Sequence, residues 1–303
     1  MKYPETLLEA VRYFSNPDVC IEHTAAMRWP KGVYCPTCGR VDVSYLKTQK
    51  RWQCKSAHAN RQFSVKVGTI FEDSAIGLDK WLPAIWMIVN AKNGVSSYEI
   101  ARSLGVTQKT AWYMAQRIHA AMKHNSFDKL NDPTEADETY IGGKSTESKG
   151  RFTNKMAVIG VVEKKKNIGQ IRAFATKHAD ATNTIPFLKD NLKVNAVLHT
   201  DESHIYHRAK WTFLHESVNH SQGEYARGSV STTTIDGFWN LMKRSMKGTY
   251  THVSGNHLSR YVDEHTYRYN TRMLNDSQRF SQWFANCNRR LIYKTLVSKT
   301  SNL

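Results

Sequence analysis

Asp137-Glu-Thr-Tyr-Ile-Gly-Gly-Lys144 stands where the chain turns from helical to extended patterning. Its β-prone run at 139–141 stops at Gly142-Gly143, and three further β-prone runs follow at 156–163, 171–175 and 196–200. Between the last two, residues 181–192 read as a helix, and a long helical pattern starts near Thr234 with breaks at Gly248 and Gly255. Strands followed by alternating helices and strands predict an α/β or α+β domain of about 170 residues. Residues 124–134, polar and ending in Asp132-Pro133-Thr134, read as a linker into that domain. Lys164-Lys165-Lys166 beside Asn167-Ile168-Gly169 reads as a hairpin tip at the surface.

Upstream the pattern is different. Trp81, Ile85, Trp86, Ile88 and Val89 recur at helical spacing, and two more helical stretches, 96–104 and 107–122, meet at Gly105. The first would bury Ile100, Ala101 and Leu104. Thr107 would cap the second, whose Ala111, Met114 and Ile118 face inward. This is helix-turn-helix grammar, and it sends Gln108, Lys109 and Tyr113 outward at the start of the second helix, toward base edges or phosphates.

Residues 1–75 hold four of the five cysteines. Cys35-Pro-Thr-Cys38-Gly39, Cys54 and His58 give the spacing C-x2-C-x15-C-x3-H, two tight pairs able to close a zinc tetrahedron. Gly39 supplies the left-handed turn of the first knuckle, and 32–34, 51–53 and 61–65 would be the short strands of a zinc ribbon. A symmetrical ribbon would place its fourth Cys at Ala57, so His58 reaches in from one residue further on, with His23 as a competitor. Cys20 and Cys287 lack partners at ligand spacing and are expected to pack as small apolar residues.

The 303 residues suit two or three domains. Lys and Arg number 43 against 26 Asp and Glu, a balance of +17 that favours polyanions such as nucleic acid or an anionic membrane surface. The longest apolar stretch, 81–89, contains Pro83 and falls far short of the roughly 20 residues of a membrane span. Residues 1–13 carry Glu5 and Glu9, unlike a secretory leader. An odd number of cysteines argues against a secreted disulfide framework. Composition therefore predicts a cytosolic protein that meets nucleic acid.

Three acids stand out by context. Asp137 opens the β-prone stretch, Asp201 ends Val-Leu-His-Thr-Asp201 at a strand tip, and Asp236 lies near the start of the long helix. Seven positions separate Asp236 from Lys243, so both project from one helix face. Carboxylates drawn from two strands and a helix suit two Mg²⁺ ions about 4 Å apart, one at the attacking and one at the leaving oxygen of a phosphodiester. Lys243 would grip a phosphate. Glu138 and Glu202 adjoin two of these acids, but strand alternation sends a neighbour to the opposite face. Residues 237–303 add 11 Lys and Arg against 3 Asp and Glu.

Taken together, the motifs resemble the ISXO-type insertion-sequence transposases. The resemblance rests on Arg28-Trp29-Pro30-Lys31-Gly32 before Cys-Pro-Thr-Cys-Gly, Gly68-Thr69-Ile70-Phe71, residues 94–122 and Asp137-Glu-Thr-Tyr-Ile-Gly-Gly. It continues through Asn219-His220-Ser221 with Gly223-Glu224, residues 235–244, His257-Leu258-x-x-Tyr261-x-x-Glu264 and Arg268-Tyr269-Asn270-Thr271-Arg272. The resemblance implies a DDE-type enzyme with a ribonuclease-H-like core, Asp137 and Asp201 as the first two metal ligands and Lys243 two turns after the third. Where the family carries Glu, with Asn three residues before it, this chain has Asp236 and Thr233, and Ala57 replaces the fourth ribbon Cys.

The expected architecture is therefore multidomain: a small β zinc ribbon in 1–75, an α-helical helix-turn-helix domain in 76–123, a linker in 124–134, an α/β ribonuclease-H-like catalytic domain in 135–275 and a basic extension in 276–303. The expected function is an insertion-sequence transposase that binds terminal inverted repeats, cuts the element's ends and joins them to target DNA. Asp137, Asp201 and Asp236 would hold two Mg²⁺ or Mn²⁺ ions. Cys35, Cys38, Cys54 and His58 would hold a structural Zn²⁺. Gln108, Lys109, Tyr113, Lys243 and Arg244 would contact DNA. The partners expected are double-stranded DNA and further copies of the chain, with no membrane, in a bacterial cytoplasm at the nucleoid. The alternatives are a DNA-binding regulator with a vestigial core, for which Thr233 and Asp236 speak, and a ribonuclease-H-like nuclease.

Overall fold

The computed structural model describes residues 3–123, 128–131, 133–142, 155–165 and 168–297. Gly143 and Lys144 of the opening motif, and Lys166 and Asn167 of the expected hairpin tip, lie outside the described residues. The described residues fall into two compact units, one drawn from 1–91, 95–122 and 274–299, the other from 92–94 and 123–273.

The first unit opens with α1 (Leu7–Tyr13) and α2 (Pro17–Arg28). Thr6 and Glu9 cap α1 reciprocally, and Asn16 with Pro17 starts α2. A three-stranded antiparallel sheet follows: β1 (Val43–Leu46), β2 (Arg51–Cys54) and β3 (Gln62–Phe63). Its first strand forms after the Cys35–Cys38 knuckle. The segment 32–34, expected as a strand, stays irregular, with Gly32 at φ 107°. The Gly32 N–H closes a turn on the Trp29 carbonyl at 2.9 Å instead of donating to a neighbouring strand.

Helix α3 (Leu78–Asn90) carries Trp81, Leu82, Ile85, Trp86, Ile88 and Val89 into the core. Then α4 (Ser97–Leu104) and α5 (Gln108–Ala120) meet at Gly105, whose left-handed backbone (φ 60°) ends α4. Ser96 caps α4 through the Glu99 N–H, and Thr107 caps α5 through the Thr110 N–H. Ile100, Ala111, Met114 and Ile118 are fully buried.

The second unit is built on β4 (Thr134–Ile141), β5 (Met156–Glu163), β6 (Ile171–Thr176), α6 (Ala181–Asn191), β7 (Val197–Thr200) and β8 (Leu214–Ser217). The sheet order is β6-β5-β4-β7-β8, with antiparallel pairing from β6 to β4 and parallel pairing from β4 to β8. Alternation splits β4 between two cores. Ala136 joins Leu198, Leu188 and Tyr206 on the α6 side, while Ile141 joins the other side. A small ribbon, β9 (Ala226–Arg227) and β10 (Val230–Ser231), leads to α7 (Thr233–Ser245), a π turn at Met246–Tyr250 and α8 (Leu258–Asn270), and these cover that other side through Ile235, Trp239, Met242 and Val262.

The stretch 276–303, expected as an extension, supplies α9 (Asp276–Trp283) and α10 (Tyr293–Val297) to the first unit. Phe280, Trp283, Phe284 and Cys287 form one apolar stripe at i, i+3, i+4 and i+7, and all four are buried. The Trp283 indole donates to the Ile118 carbonyl at 3.2 Å. Cys20 and Cys287 are fully buried thiols, both pushed up to about 12 first by burial. No helix among the described residues is long and apolar enough to cross a membrane.

His23 sits in this unit among Tyr13, Phe14, Phe280 and Phe284, with ring centroids 5.1–6.1 Å away. Burial lowers its pKa to about 4. A base whose pKa is depressed in the folded state costs nothing above the unfolded value near 6.5. It draws down stability as the pH falls from there toward 4, because the unfolded chain takes up the proton first. Between pH 7.5 and pH 5 the chain is expected to lose about 2 kcal/mol more stability than a His23→Leu variant, measured by urea unfolding. Equal losses would mean that the imidazole is not buried as a neutral base.

Candidate active site

Two groups of side chains able to hold a metal ion occur among the described residues, one in each unit. In the first, one ligand atom each from Cys35, Cys38, Cys54 and His58 lie within 4.8 Å of one another. Cys35 Sγ is 3.5 Å from His58 Nε2, and Cys38 Sγ is 3.7 Å from Cys54 Sγ. A tetrahedron with Zn–S near 2.3 Å and Zn–N near 2.0 Å has edges of about 3.5–3.8 Å, so the donor set fits zinc. His58 Nδ1–H donates to the Ala59 carbonyl at 2.6 Å, which leaves Nε2 free as the ligand atom. Burial opposes ionisation of Cys54, but the hydrogen bonds it shares with His58, Ser56 and Cys38 together outweigh burial and lower the thiol to about 6. His23, the competitor, is held in its aromatic cage and does not join the set.

The second group is Asp137, Glu138 and Asp201, with ligand oxygens again within 4.8 Å of one another. Parallel pairing sets Thr134 beside Leu198 and Glu135 beside His199. Two residues further along the same register, Asp137 is level with Asp201, just past the end of β7. Glu138 points to the opposite face from Asp137, as alternation requires, and accepts from the buried Tyr206 hydroxyl at 2.9 Å. Because β7 stops at Thr200, Asp201 sits off the end of its strand, where carboxylates from both faces of β4 can reach it. The Ser203 N–H fixes Asp201 Oδ1 at 3.0 Å.

Electrostatics mark the same place. Asp137 is pushed well above the usual carboxylate range, first by burial and then by Glu138, Asp201 and Asp236. Glu138 is raised to about 7 by burial and by Asp201, and Asp201 is raised chiefly by burial. Like charges gathered in a half-buried mouth hold protons tightly until a cation takes their place. Hard oxygens from three carboxylates are the donor set of Mg²⁺ or Mn²⁺, and this group fits such an ion.

Asp236 lies in the first turn of α7 and contributes to the field on Asp137 and Asp201, yet it does not join the close set. It is one methylene shorter than the Glu of the resembling family, and its Oδ2 accepts from the Thr232 hydroxyl at 3.2 Å. Lys243 and Arg244 are exposed near the end of α7. Lys243 borders a shallow depression with Tyr140, Gly142, Met246 and Lys247.

Two supports of this site leave no local pattern in the sequence. Glu135, fully buried, accepts from the backbone N–H groups of Thr234 (2.7 Å) and Ile235 (3.1 Å) and from the hydroxyls of Ser231 (3.2 Å) and Thr234 (3.1 Å). It caps the positive end of α7 and has Lys164 Nζ at 3.4 Å, which fixes the helix carrying Asp236 and Lys243. The Trp239 indole donates to Asp137 Oδ2 at 2.9 Å. That ring fits because Gly160 is the cross-strand partner of Asp137, and a Cβ there would lie 2.7 Å from the indole.

Residues 129–270 match the family model of the ISXO2-like transposase domain, and residues 15–59 match that of the transposase zinc-ribbon domain. The chain belongs to the ISXO-like transposases. A relative, an uncharacterized protein in transposable element ISH50 of Halobacterium salinarum, is 27% identical over 242 residues, 73% of this chain and 80% of that protein. A solved structure, the simian T-cell lymphotropic virus intasome in complex with PP2A regulatory subunit B56 gamma, is 14% identical with a TM-score of 0.30. It covers 55% of this chain and 63% of that one, less than two thirds of its length. Of the DNA-facing residues expected in this transposase, Lys109 is exposed. Gln108 is half-buried and donates to Ser97 Oγ at 2.8 Å. Tyr113 is half-buried between Arg117, whose guanidinium carbon lies 4.5 Å from the ring centroid, and Tyr293, whose ring is 5.7 Å away.

Proposed function

We propose that this insertion-sequence transposase cuts its element's ends and joins them to target DNA at the Asp137, Glu138 and Asp201 mouth, with Asp236 completing the site from α7. The observation that carries the reading is the convergence of the three carboxylates within 4.8 Å at the end of two parallel strands. The order β6-β5-β4-β7-β8, with the acids on its central strand and at the end of the next, supports the ribonuclease-H-like core implied by the family. Divalent ions held there would polarise the scissile phosphate and favour an attacking hydroxyl. Trp239 and Tyr206 hold Asp137 and Glu138 in place, so little reorganisation accompanies binding. Lys243, exposed two turns beyond Asp236, grips a phosphate of the bound strand.

In this reading Cys35, Cys38, Cys54 and His58 hold a structural zinc. The α4–Gly105–α5 pair acts as a helix-turn-helix, with Lys109 as its phosphate contact, and the excess of 17 positive charges serves duplex DNA. Two element ends must be brought together, so the active form is an oligomer on DNA. The full chain with Mn²⁺ is expected to nick and join duplexes ending in the element's inverted repeat, and to spare scrambled duplexes. Equal cleavage of both would replace the reading with a nuclease of the ribonuclease-H type. A second reading, a DNA-binding regulator with a vestigial core, is favoured by Asp236 standing outside the close set. It predicts repeat binding with no Mn²⁺-dependent cleavage.

A further inference from the structure

We infer that His220 is a positioning residue that fixes the carboxylate of Asp236 through the hydroxyl of Thr232. Thr232 stands at the N-cap of α7, 1% exposed, and its side chain makes no bond to the helix backbone. Its Oγ1 lies 3.2 Å from Asp236 Oδ2 and 3.4 Å from His220 Nε2. A hydroxyl has one proton to give. An ionised carboxylate only accepts, so that proton goes to Asp236, and the hydroxyl oxygen is left to accept from a protonated His220 Nε2. The direction of both bonds follows, and with it the imidazole tautomer.

The imidazole is itself held from the far side. The His220 and Ser221 N–H groups donate to the Glu202 carboxylate at 2.9 and 3.0 Å, and the Asn219 side chain accepts from the Gln222 N–H at 3.2 Å to close the turn. The ring packs against Tyr225 with centroids 5.2 Å apart. Glu202 directly follows Asp201 in the chain. A continuous line therefore runs from the residue beside the second acid, through the turn at 219–222 and Thr232, to the third. Without that line an Asp in the first turn of a helix samples its staggered side-chain rotamers freely. With it, one rotamer is selected before any ion arrives. Asn219-His220-Ser221, a motif otherwise without a role, is explained by this.

The inference rests on the proposed placement of Asp236 at the metal centre, and its test separates the two. Mn²⁺ binding to the full chain without DNA is followed by titration calorimetry, alongside thermal melting. His220→Phe keeps the ring against Tyr225 and removes the N–H, and Thr232→Val keeps the shape and removes the hydroxyl. Each is expected to weaken Mn²⁺ binding about tenfold with the melting temperature unchanged. The double variant should lose no more than either single, because both cut the same line. His220→Gln, which restores an N–H donor, should recover most of the loss. Unchanged affinity in both single variants, or losses that multiply in the double, overturns the role of His220. If Asp137→Asn also leaves Mn²⁺ binding unchanged, the proposed metal centre falls with it.

Discussion

Asp201→Asn is expected to abolish cutting and joining of element ends while leaving repeat binding intact. The substitution keeps the side chain's size and leaves an oxygen for the Ser203 N–H to meet, but removes the charge that a divalent ion requires. Loss of several kcal/mol of transition-state stabilisation corresponds to a fall of about a thousandfold or more in rate. A second readout needs no DNA. Burial is the first cause raising Asp201's pKa, and Glu202 and Asp236 add to it. A carboxyl raised in the folded state contributes stability only when protonated and costs stability near neutrality. The variant without metal should therefore melt no lower than the parent. Mn²⁺ at about a hundred times its dissociation constant should stabilise the parent by about 2.7 kcal/mol and the variant by nothing. Joining at more than a tenth of the parental rate would remove Asp201 from the centre.

The second large effect belongs to the zinc ribbon. Chelating the metal, or replacing Cys54 by Ser, is expected to unfold the β1–β2–β3 sheet and abolish sequence-specific DNA binding. A structural zinc of this kind contributes about 10–16 kcal/mol of binding free energy at neutral pH, and the protein core beneath it is small. It amounts chiefly to Trp29, Trp52 and Phe63, with Trp29 and Trp52 ring centroids 5.5 Å apart. Tryptophan fluorescence follows the loss, and elemental analysis should find one zinc per chain. His58→Ala should release the metal and His23→Leu should not. The reverse outcome would move the fourth ligand to His23.

Much of this was readable along the chain, and the exceptions share a cause. The C-x2-C-x15-C-x3-H spacing, the Gly105 turn with its Ser96 and Thr107 caps, and the runs that become β5, β6 and β7 are local signals, and the structure contains them. Strand β4 begins at Thr134, inside the stretch read as a linker, because parallel pairing with β7 recruits it from 64 residues away. Strand β8, Leu-His-Glu-Ser, is a short polar edge with no alternation to detect. Strand alternation assigns Glu138 to the face opposite Asp137. That rule holds on β4, but it assumes that the neighbouring strand continues, and β7 ends one residue before Asp201. Glu135 accepts its hydrogen bonds from residues 96–100 positions away, and no spacing rule reaches that far. The stripe at 280, 283, 284 and 287 has a helical period, but it is short and lies among arginines that give the segment a basic, solvent-facing composition.

Gly160 carries a consequence for how such a gene decays. Loss of one of the acids would disable the proposed centre, but they are few, and most random substitutions fall elsewhere. At position 160 the gain of a single methyl group would meet the Trp239 indole at 2.7 Å and is expected to shift it off Asp137, while every acidic residue still reads as intact. A copy of the element can thus fall silent with its whole acidic signature preserved. A genome survey that scores mobile elements by that signature alone would count such copies as live, and the codon for residue 160 is where the miscount would show.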